Sequence, residues 1–290
     1  MMKRLFFLCL FGVALSQAQS LERQVIGSSG TSFSNATAQV DFTVGELVVT
    51  TITDGTTELT QGFQQTNLSL LLRVSPIVFL QGSSINPNVG EETLMRDDLR
   101  VGGIIPLTSP YADGLTTVAS VFTSTGTDAI VDWVWVELRN AADNTIVEAT
   151  RSALLQRDGN IVDVDGVSAI EFDGLASGNY FVSVNHRNHL GIMSAVSIAL
   201  SRTTTSLDLI TDSNDVLGGT NAVIPVGGRN TMIGGDYDEN GQVQTADVNA
   251  VILLLGGAGY DNGDYDMNGQ IQTTDINAIN YPNIGRGQQF

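Results

Sequence analysis

Two stretches near the C-terminus repeat each other, and their spacing constrains the fold more than anything else in the chain. Asp236-Tyr-Asp-Glu-Asn-Gly-Gln-Val-Gln-Thr-Ala-Asp247 is followed by Asp264-Tyr-Asp-Met-Asn-Gly-Gln-Ile-Gln-Thr-Thr-Asp275, with nine of twelve positions identical. Both read D-x-D-x-N-G-x-[VI]-x-x-x-D, the ligand spacing of a calcium loop. A hard cation of this kind takes several oxygens from one loop that wraps around it. Positions one, three and five (Asp236, Asp238, Asn240; Asp264, Asp266, Asn268) alternate side chains toward one point. Gly241 and Gly269 at position six can take the positive φ of the bend. The backbone carbonyls of Gln242 and Gln270 fall at position seven, Gln244 can act through water, and Asp247 and Asp275 close the shell from the following helix. Val243 and Ile271 at position eight are expected to pair the loops across a short β-bridge. An Asp/Asn/Gly turn that binds nothing is the bland alternative. Two copies with six carboxylates at ligand positions favour two calcium ions.

Charge ties this module to folding. From Ile233 to Phe290 there are eight acidic residues and one Arg, a net charge of −7. Closing the loops on metal should therefore stabilise the brief helices after them, because binding energy becomes folding energy. On this reading chelation loosens residues 233–290 and leaves 70–207 unchanged.

The other end of the chain reads as a signal peptide, residues 1–18. Met1-Met-Lys3-Arg4 is basic, Leu5–Leu15 is apolar, and Ser16-Gln17-Ala18 is a small-x-small cleavage site. The apolar run is too short for a membrane span. Cleavage would remove Cys9 and Lys3, leaving thirty-one acidic residues against eleven Arg, a formal charge of −20. Disulfides, thiolate chemistry and Schiff-base lysine chemistry are then excluded. Nucleic-acid binding is disfavoured, since nothing basic is clustered to meet phosphates. A secreted or cell-surface protein is expected.

Between these ends the chain reads as mainly β. Val, Ile, Thr and aromatic residues recur in short runs bounded by Gly, Asn and Asp. Residues 19–67 form a small β-module with alternation at Ala38–Val44, strand at Leu47–Ile52 and a turn at Asp54-Gly55. Residues 70–207 are long enough for their own core and are expected to form an immunoglobulin- or transthyretin-like β-sandwich. The strongest strand is Ile130–Arg139, with Val134, Val136 and Leu138 toward the core and Trp133, Trp135 and Glu137 on the other face. Further strands are expected at Thr145–Thr150, Ser152–Arg157, Ala169–Phe172, Tyr180–Val184 and Ser194–Leu200. Residues 208–232 read as a Gly-rich linker with a packing strand, and 233–290 as a small α module of tandem EF-hand-type loop–helix units.

Loop then helix, twice, with Asp rather than Glu at position twelve, resembles the dockerin type I family over about the last fifty-five residues. The resemblance implies a cohesin partner met through positions ten and eleven, here Thr245, Ala246, Thr273 and Thr274. Asn280-Tyr281-Pro282 departs from the family pattern, and Pro should cut the second helix short. A wider resemblance rests on Val78–Gly82, Met95–Arg100, Ile105-Pro-Leu with Pro110-Tyr111, Thr127–Arg139, Ala153–Gly159 and His186-Arg-Asn-His189-Leu-Gly. These segments are similar to secreted hemagglutinin-like surface proteins of Gram-negative bacteria that end in calcium-loop repeats. That resemblance implies an adhesin-like role at the cell surface.

Catalytic residues are not assigned. His186 and His189 form H-x-x-H, but once Cys9 is removed with the signal peptide no further His or Cys is left to complete a metal site. Asp97, Asp98, Glu137, Asp163 and Asp165 are candidates for a glycosidase carboxylate pair, though acidic pairs on strand edges are commoner. Trp133 and Trp135 are either a sugar-stacking platform or core. Two function classes follow: a non-catalytic calcium-binding adhesin-like protein with a docking module, or a glycan-binding or hydrolase-associated component of extracellular polysaccharide degradation, tethered through a cohesin.

Overall fold

The computed structural model describes residues 70–290 throughout and, before them, only the strands β1 (Ser29–Ser34), β2 (Gln39–Val44), β3 (Ile52–Thr53) and β4 (Glu58–Leu59). The signal-peptide reading and the Asp54-Gly55 turn lie outside the described residues. The chain divides into two compact units, Met1–Leu68 and Ser69–Phe290. In the first, β1 and β2 pair antiparallel from Ser29↔Val44 to Ser34↔Gln39, and β3 pairs with β4.

The second unit is built on two sheets. Strands β6 (Ile130–Asn140), β7 (Val147–Gln156), β8 (Ile161–Val162), β10 (Gly178–His186) and β11 (His189–Met193) lie in the order β11-β10-β6-β7-β8. Strand β12 (Ile198–Leu200) pairs with the opening residues of β10. In the smaller sheet β5 (Leu71–Ile77) is flanked by β9 (Ile170–Asp173), antiparallel, and β13 (Thr205–Asp208), parallel. Alternation explains which faces meet. Leu72, Val74, Ile170 and Phe172 from one sheet share a core cluster with Val134, Val136, Leu138, Val182 and Val184 from the other. The fold is mainly β with a small C-terminal helical region.

Trp133 points away from Val134 yet is also fully buried. The segment 105–117 covers that face, and the Trp133 indole N–H donates to the Pro106 carbonyl at 2.9 Å. Trp133 is therefore core and no sugar platform. The two strands expected at 145–150 and 152–157 form one, β7, because Arg151 continues the ladder opposite Val136. His189–Met193, not among the expected strands, returns as β11 against β10.

Residues 208–232 are not a linker. They carry the hairpin β14 (Val223–Val226) and β15 (Arg229–Met232), and Val223 and Met232 are buried in the main core. Their glycines serve turns: Gly227 and Gly228 take φ of 59° and 83° between the hairpin strands. Beyond β15 the chain threads between Phe79, whose carbonyl accepts the Met232 N–H at 2.7 Å, and Leu190, which donates to the Ile233 carbonyl at 2.8 Å. The tandem-loop module thus belongs to the same compact unit as the sandwich. No helix among the described residues is long and apolar enough to cross a membrane.

Candidate metal centre

Each repeat folds into the same hydrogen-bonded loop. The first carboxylate accepts two backbone N–H groups across the bend: Asp236 from Asn240 (3.1 Å) and Gly241 (2.9 Å), Asp264 from Asn268 (3.0 Å) and Gly269 (2.7 Å). The position-five side chain accepts from position seven, Asn240 from Gln242 and Asn268 from Gln270, each at 2.9 Å. Position twelve reaches back twice: Asp247 accepts from Tyr237 (2.9 Å) and Gln244 (2.7 Å), Asp275 from Asp266 (2.9 Å) and Gln272 (2.8 Å). The second of these bonds satisfies an otherwise orphaned N–H at a helix start. Gly241 and Gly269 sit at φ 79° and 84°, as the bend requires. Position four also lies in the left-handed region, Glu239 at 58° and Met267 at 61°, a strain the spacing did not announce.

This arrangement gathers Asp236, Asp238 and Asp247 with ligand oxygens within 4.8 Å of one another, and Asp264, Asp266 and Asp275 likewise. Burial pushes the Asp236 carboxyl up to about 6, with Asp247 and Asp238 adding repulsion, and burial pushes Asp264 to about 7 and Asp275 to about 6. Asp266 is raised by burial as well. Three crowded carboxylates with oxygens directed inward form a donor set that suits a hard divalent cation. Such an ion, if held there, would supply the charge that keeps them ionised.

The helices that follow differ. Helix α3 (Thr245–Leu254; the single turns Gln81–Ser84 and Asp98–Val101 are α1 and α2) buries Val248 and Val251. Its outward stripe is Thr245, Ala246, Asn249, Ile252 and Leu253, with Leu253 85% exposed. After loop two, Asp275–Asn280 winds as a π-helix and Tyr281–Asn283 as a last α-turn, α4, so the helical path stops one residue past Pro282. Thr273 and Thr274 are exposed beside it.

Val243 and Ile271 do not pair with each other. Val243 donates to the Arg286 carbonyl at 2.9 Å and accepts from Gly285, while Ile271 donates to the Gly257 carbonyl at 2.9 Å and accepts from Gly256. Each loop is thus braced by the segment after the other repeat's helix, which satisfies the position-eight backbone without a direct bridge.

The H-x-x-H pair is a buried hydrogen-bonded chain and no metal site. The Gly82 N–H points at His189 Nε2 (3.1 Å), His189 Nδ1 faces His186 Nδ1 (3.1 Å) and the Asn188 side-chain oxygen (2.7 Å), and His186 Nε2 faces Asp132 (3.2 Å). Acceptance from Gly82 puts the His189 proton on Nδ1, so His186 carries its own on Nε2 toward Asp132. Burial holds both imidazoles below their usual range, His189 well below, so they are neutral. Asp132 also accepts from Arg187 (3.0 Å), Tyr260 (2.7 Å) and the Trp133 N–H (2.8 Å). Burial pushes this carboxyl up, but Arg187 and its hydrogen bonds outweigh that and hold it at about 2. The Arg187 guanidinium stacks 4.4 Å from the Tyr260 ring centre and donates to the Asp261 carbonyl. The His186–Gly191 motif therefore joins sandwich to loop module, a role with no local signature in sequence.

The candidate glycosidase carboxylates are otherwise engaged. Asp97 pairs with Arg100 (2.5 Å), Asp98 with Arg96 (2.9 Å), Glu137 with Arg139 (2.7 Å) and Asp163 with Arg151 (2.8 Å), while Asp165 accepts from the Ser168 hydroxyl.

No protein-family model matches the chain, and no curated protein matches it. Its weak structural neighbours are chains from crystal structures of type II cohesin–X–dockerin complexes of Acetivibrio cellulolyticus. One, from an N-terminal interface mutant, has TM-score 0.34 and 12% identity over 76% of this chain and 97% of that one. Another, from a C-terminal interface mutant, has TM-score 0.36 and 16% identity over 74% and 96%.

Proposed function

We propose that the protein is a secreted, calcium-dependent docking component of an extracellular assembly, with polysaccharide degradation the setting that the dockerin resemblance implies. Two calcium ions are held by Asp236, Asp238, Asn240, the Gln242 carbonyl and Asp247, and by Asp264, Asp266, Asn268, the Gln270 carbonyl and Asp275. The observation that carries this reading is the repeated inward-facing carboxylate cluster. The outward stripe of α3, begun by Thr245 and Ala246 and ended by Ile252 and Leu253, offers a cohesin-like partner a polar rim and an apolar anchor. Docking is favoured over hydrolysis because most candidate acid–base carboxylates are neutralised by Arg partners.

Calorimetric titration with calcium chloride should count two sites, and a count of zero overturns the metal reading. Capture by a panel of immobilised cohesin domains should require calcium and be lost in Leu253→Asp while both sites still fill. Capture that persists in chelator overturns the docking reading.

A second reading, an adhesin-like contact with glycan, rests on the half-buried Tyr111 and Trp135 rings, whose centres lie 5.6 Å apart on the outer sheet face. Glycan-array binding lost in Trp135→Ala would favour it, and an array without signal would remove it.

A further inference from the structure

The loops repeat each other in sequence, but the fold does not treat them alike. Loop two is held from outside by sandwich side chains that donate to its backbone carbonyls. Arg96 donates to Asp266 at 2.5 Å, Arg187 to Asp261, and the Asn188 amide to Asp264 at 2.8 Å and Asn262 at 3.1 Å. Asn188 is itself fully buried, with its oxygen engaged by His189, so it cannot turn away. Sandwich residues also press on the loop. A Cβ at Gly82 would lie 1.7 Å from the Tyr265 oxygen, and one at Gly269 would meet Ile104 at 2.4 Å. Met267 at position four is buried in the sandwich core.

Loop one lacks these side-chain bonds, although its Val243 shares a small buried cluster with Leu190 of the sandwich. Asp238 and Asn240 are exposed. Among the described residues no sandwich side chain donates to a carbonyl between Asp236 and Asp247. The groups that do so belong to the module itself, Asn262 to Tyr237 (3.1 Å), Gln288 to Gly241 (2.8 Å) and Gly285 to Val243 (2.9 Å).

The geometry points to two inequivalent calcium sites: loop two is the tighter, first-filled site, with Arg96 and Asn188 as its positioning residues, and loop one is the weaker, second-filled site. The inference rests on the calcium reading above. Holding the carbonyls of Asp264 and Asp266 fixes the backbone from which two of the ligands project, so less order must be gained when the ion arrives. An opposing effect has to be weighed, because two guanidinium groups beside a cation site repel the cation. Each is offset by its own carboxylate, Arg96 by Asp98 at 2.9 Å and Arg187 by Asp132 at 3.0 Å. With those charges paired, positioning decides the order.

The two effects predict opposite signs for one substitution. If Arg96 acted on the site through its charge, Arg96→Gln would tighten calcium binding at loop two. If Arg96 positions Asp266, Arg96→Gln should weaken loop two about 10- to 100-fold and change loop one by less than about twofold. The full chain would be titrated with calcium chloride at pH 8, following the amide resonances of Gly269 and Gly241, one in each loop. In the unsubstituted protein the Gly269 signal should reach its bound position with the first equivalent and Gly241 with the second. Simultaneous filling, Gly241 first, or a loop two unchanged or tighter in Arg96→Gln would each overturn the inference. The filling order needs no variant, so it decides the matter even if Arg96→Gln fails to fold. Failure of both resonances to respond would instead remove the calcium reading itself.

Discussion

Replacing Asp132 by Asn tests whether the joint between sandwich and loop module is held by a buried ion pair. Asp132 lies at a bulge in β6, fully buried, and its two oxygens accept from Trp133, Tyr260, His186 and Arg187. Asn has nearly the same shape, so no cavity opens. It removes the charge facing Arg187 and turns an N–H₂ toward either the Trp133 N–H or the Arg187 guanidinium, neither of which can accept. Removing one partner of a buried pair costs about 3–5 kcal/mol, a large share of an ordinary domain's stability. Acid should do part of the same thing. The folded-state carboxyl sits at about 2, below its ordinary 3.8. Its contribution is therefore present above that ordinary value and is lost as pH falls through about 2. Linkage puts that contribution at roughly 2 kcal/mol. The substitution should cost more than protonation, because it also sets donor against donor. Urea unfolding in saturating calcium, followed by tryptophan fluorescence, reports the site directly, since Trp133 adjoins it. Asp132→Asn should lose about 3–5 kcal/mol at pH 7, and the gap to the parent should narrow as pH falls from 4 toward 2. A loss below about 1 kcal/mol at pH 7, the level of an exposed pair, would refute the reasoning.

Burial lowers the folded-state values of His186 and His189, so their contribution is present above the unfolded value near 6.5 and is lost as pH falls through the folded values. Urea midpoints should therefore drop as pH falls below 6.5, less so in a His186→Gln, His189→Gln double variant, and equal drops would refute this. Gly82→Ala should destabilise the protein by about 3 kcal/mol or more, because a Cβ there would lie 1.7 Å from the Tyr265 carbonyl oxygen; thermal unfolding checks it. Chelation should lower hydrogen-exchange protection in 233–290 and also at residues 81–84 and 186–190, which contact loop two. Protection of those sandwich segments that did not change on chelation would show that loop and sandwich respond separately.

The loops were legible because their information is local. Ligand positions one, three, five and twelve sit on one short segment, so spacing alone places six carboxylates in two groups. Strand faces were legible for a similar reason: alternation at Val134, Val136 and Leu138 needs no knowledge of partners. Burial of Trp133 on the opposite face was not, because it depends on Pro106 and its neighbours arriving from elsewhere. The Asp132–Arg187–Tyr260 joint links residues 55 and 128 positions apart, and nothing in either segment names the other. Gly-rich composition at 208–232 was ambiguous in kind, since flexible linkers and tight hairpin turns both use glycine. The partners of Val243 and Ile271 were misjudged because an extended backbone needs only some other extended segment, and the Gly285–Arg286 and Gly256–Gly257 segments were nearer in space.

That joint bears on how docking would work. A module on a Gly-rich tether leaves its cargo free to turn after capture, and the linker length then sets the reach. Here Arg187, Asn188 and Arg96 grip the second loop directly, and hairpin β14–β15 is built into the core. Any partner that takes the outward stripe of α3 would also fix the direction in which the sandwich faces. The second loop would then serve two ends at once, closing the docking module and holding it in register with the sheet behind it. The first loop, more open and braced mainly by the module's own segments, would be the part of the module whose order depends most directly on an ion.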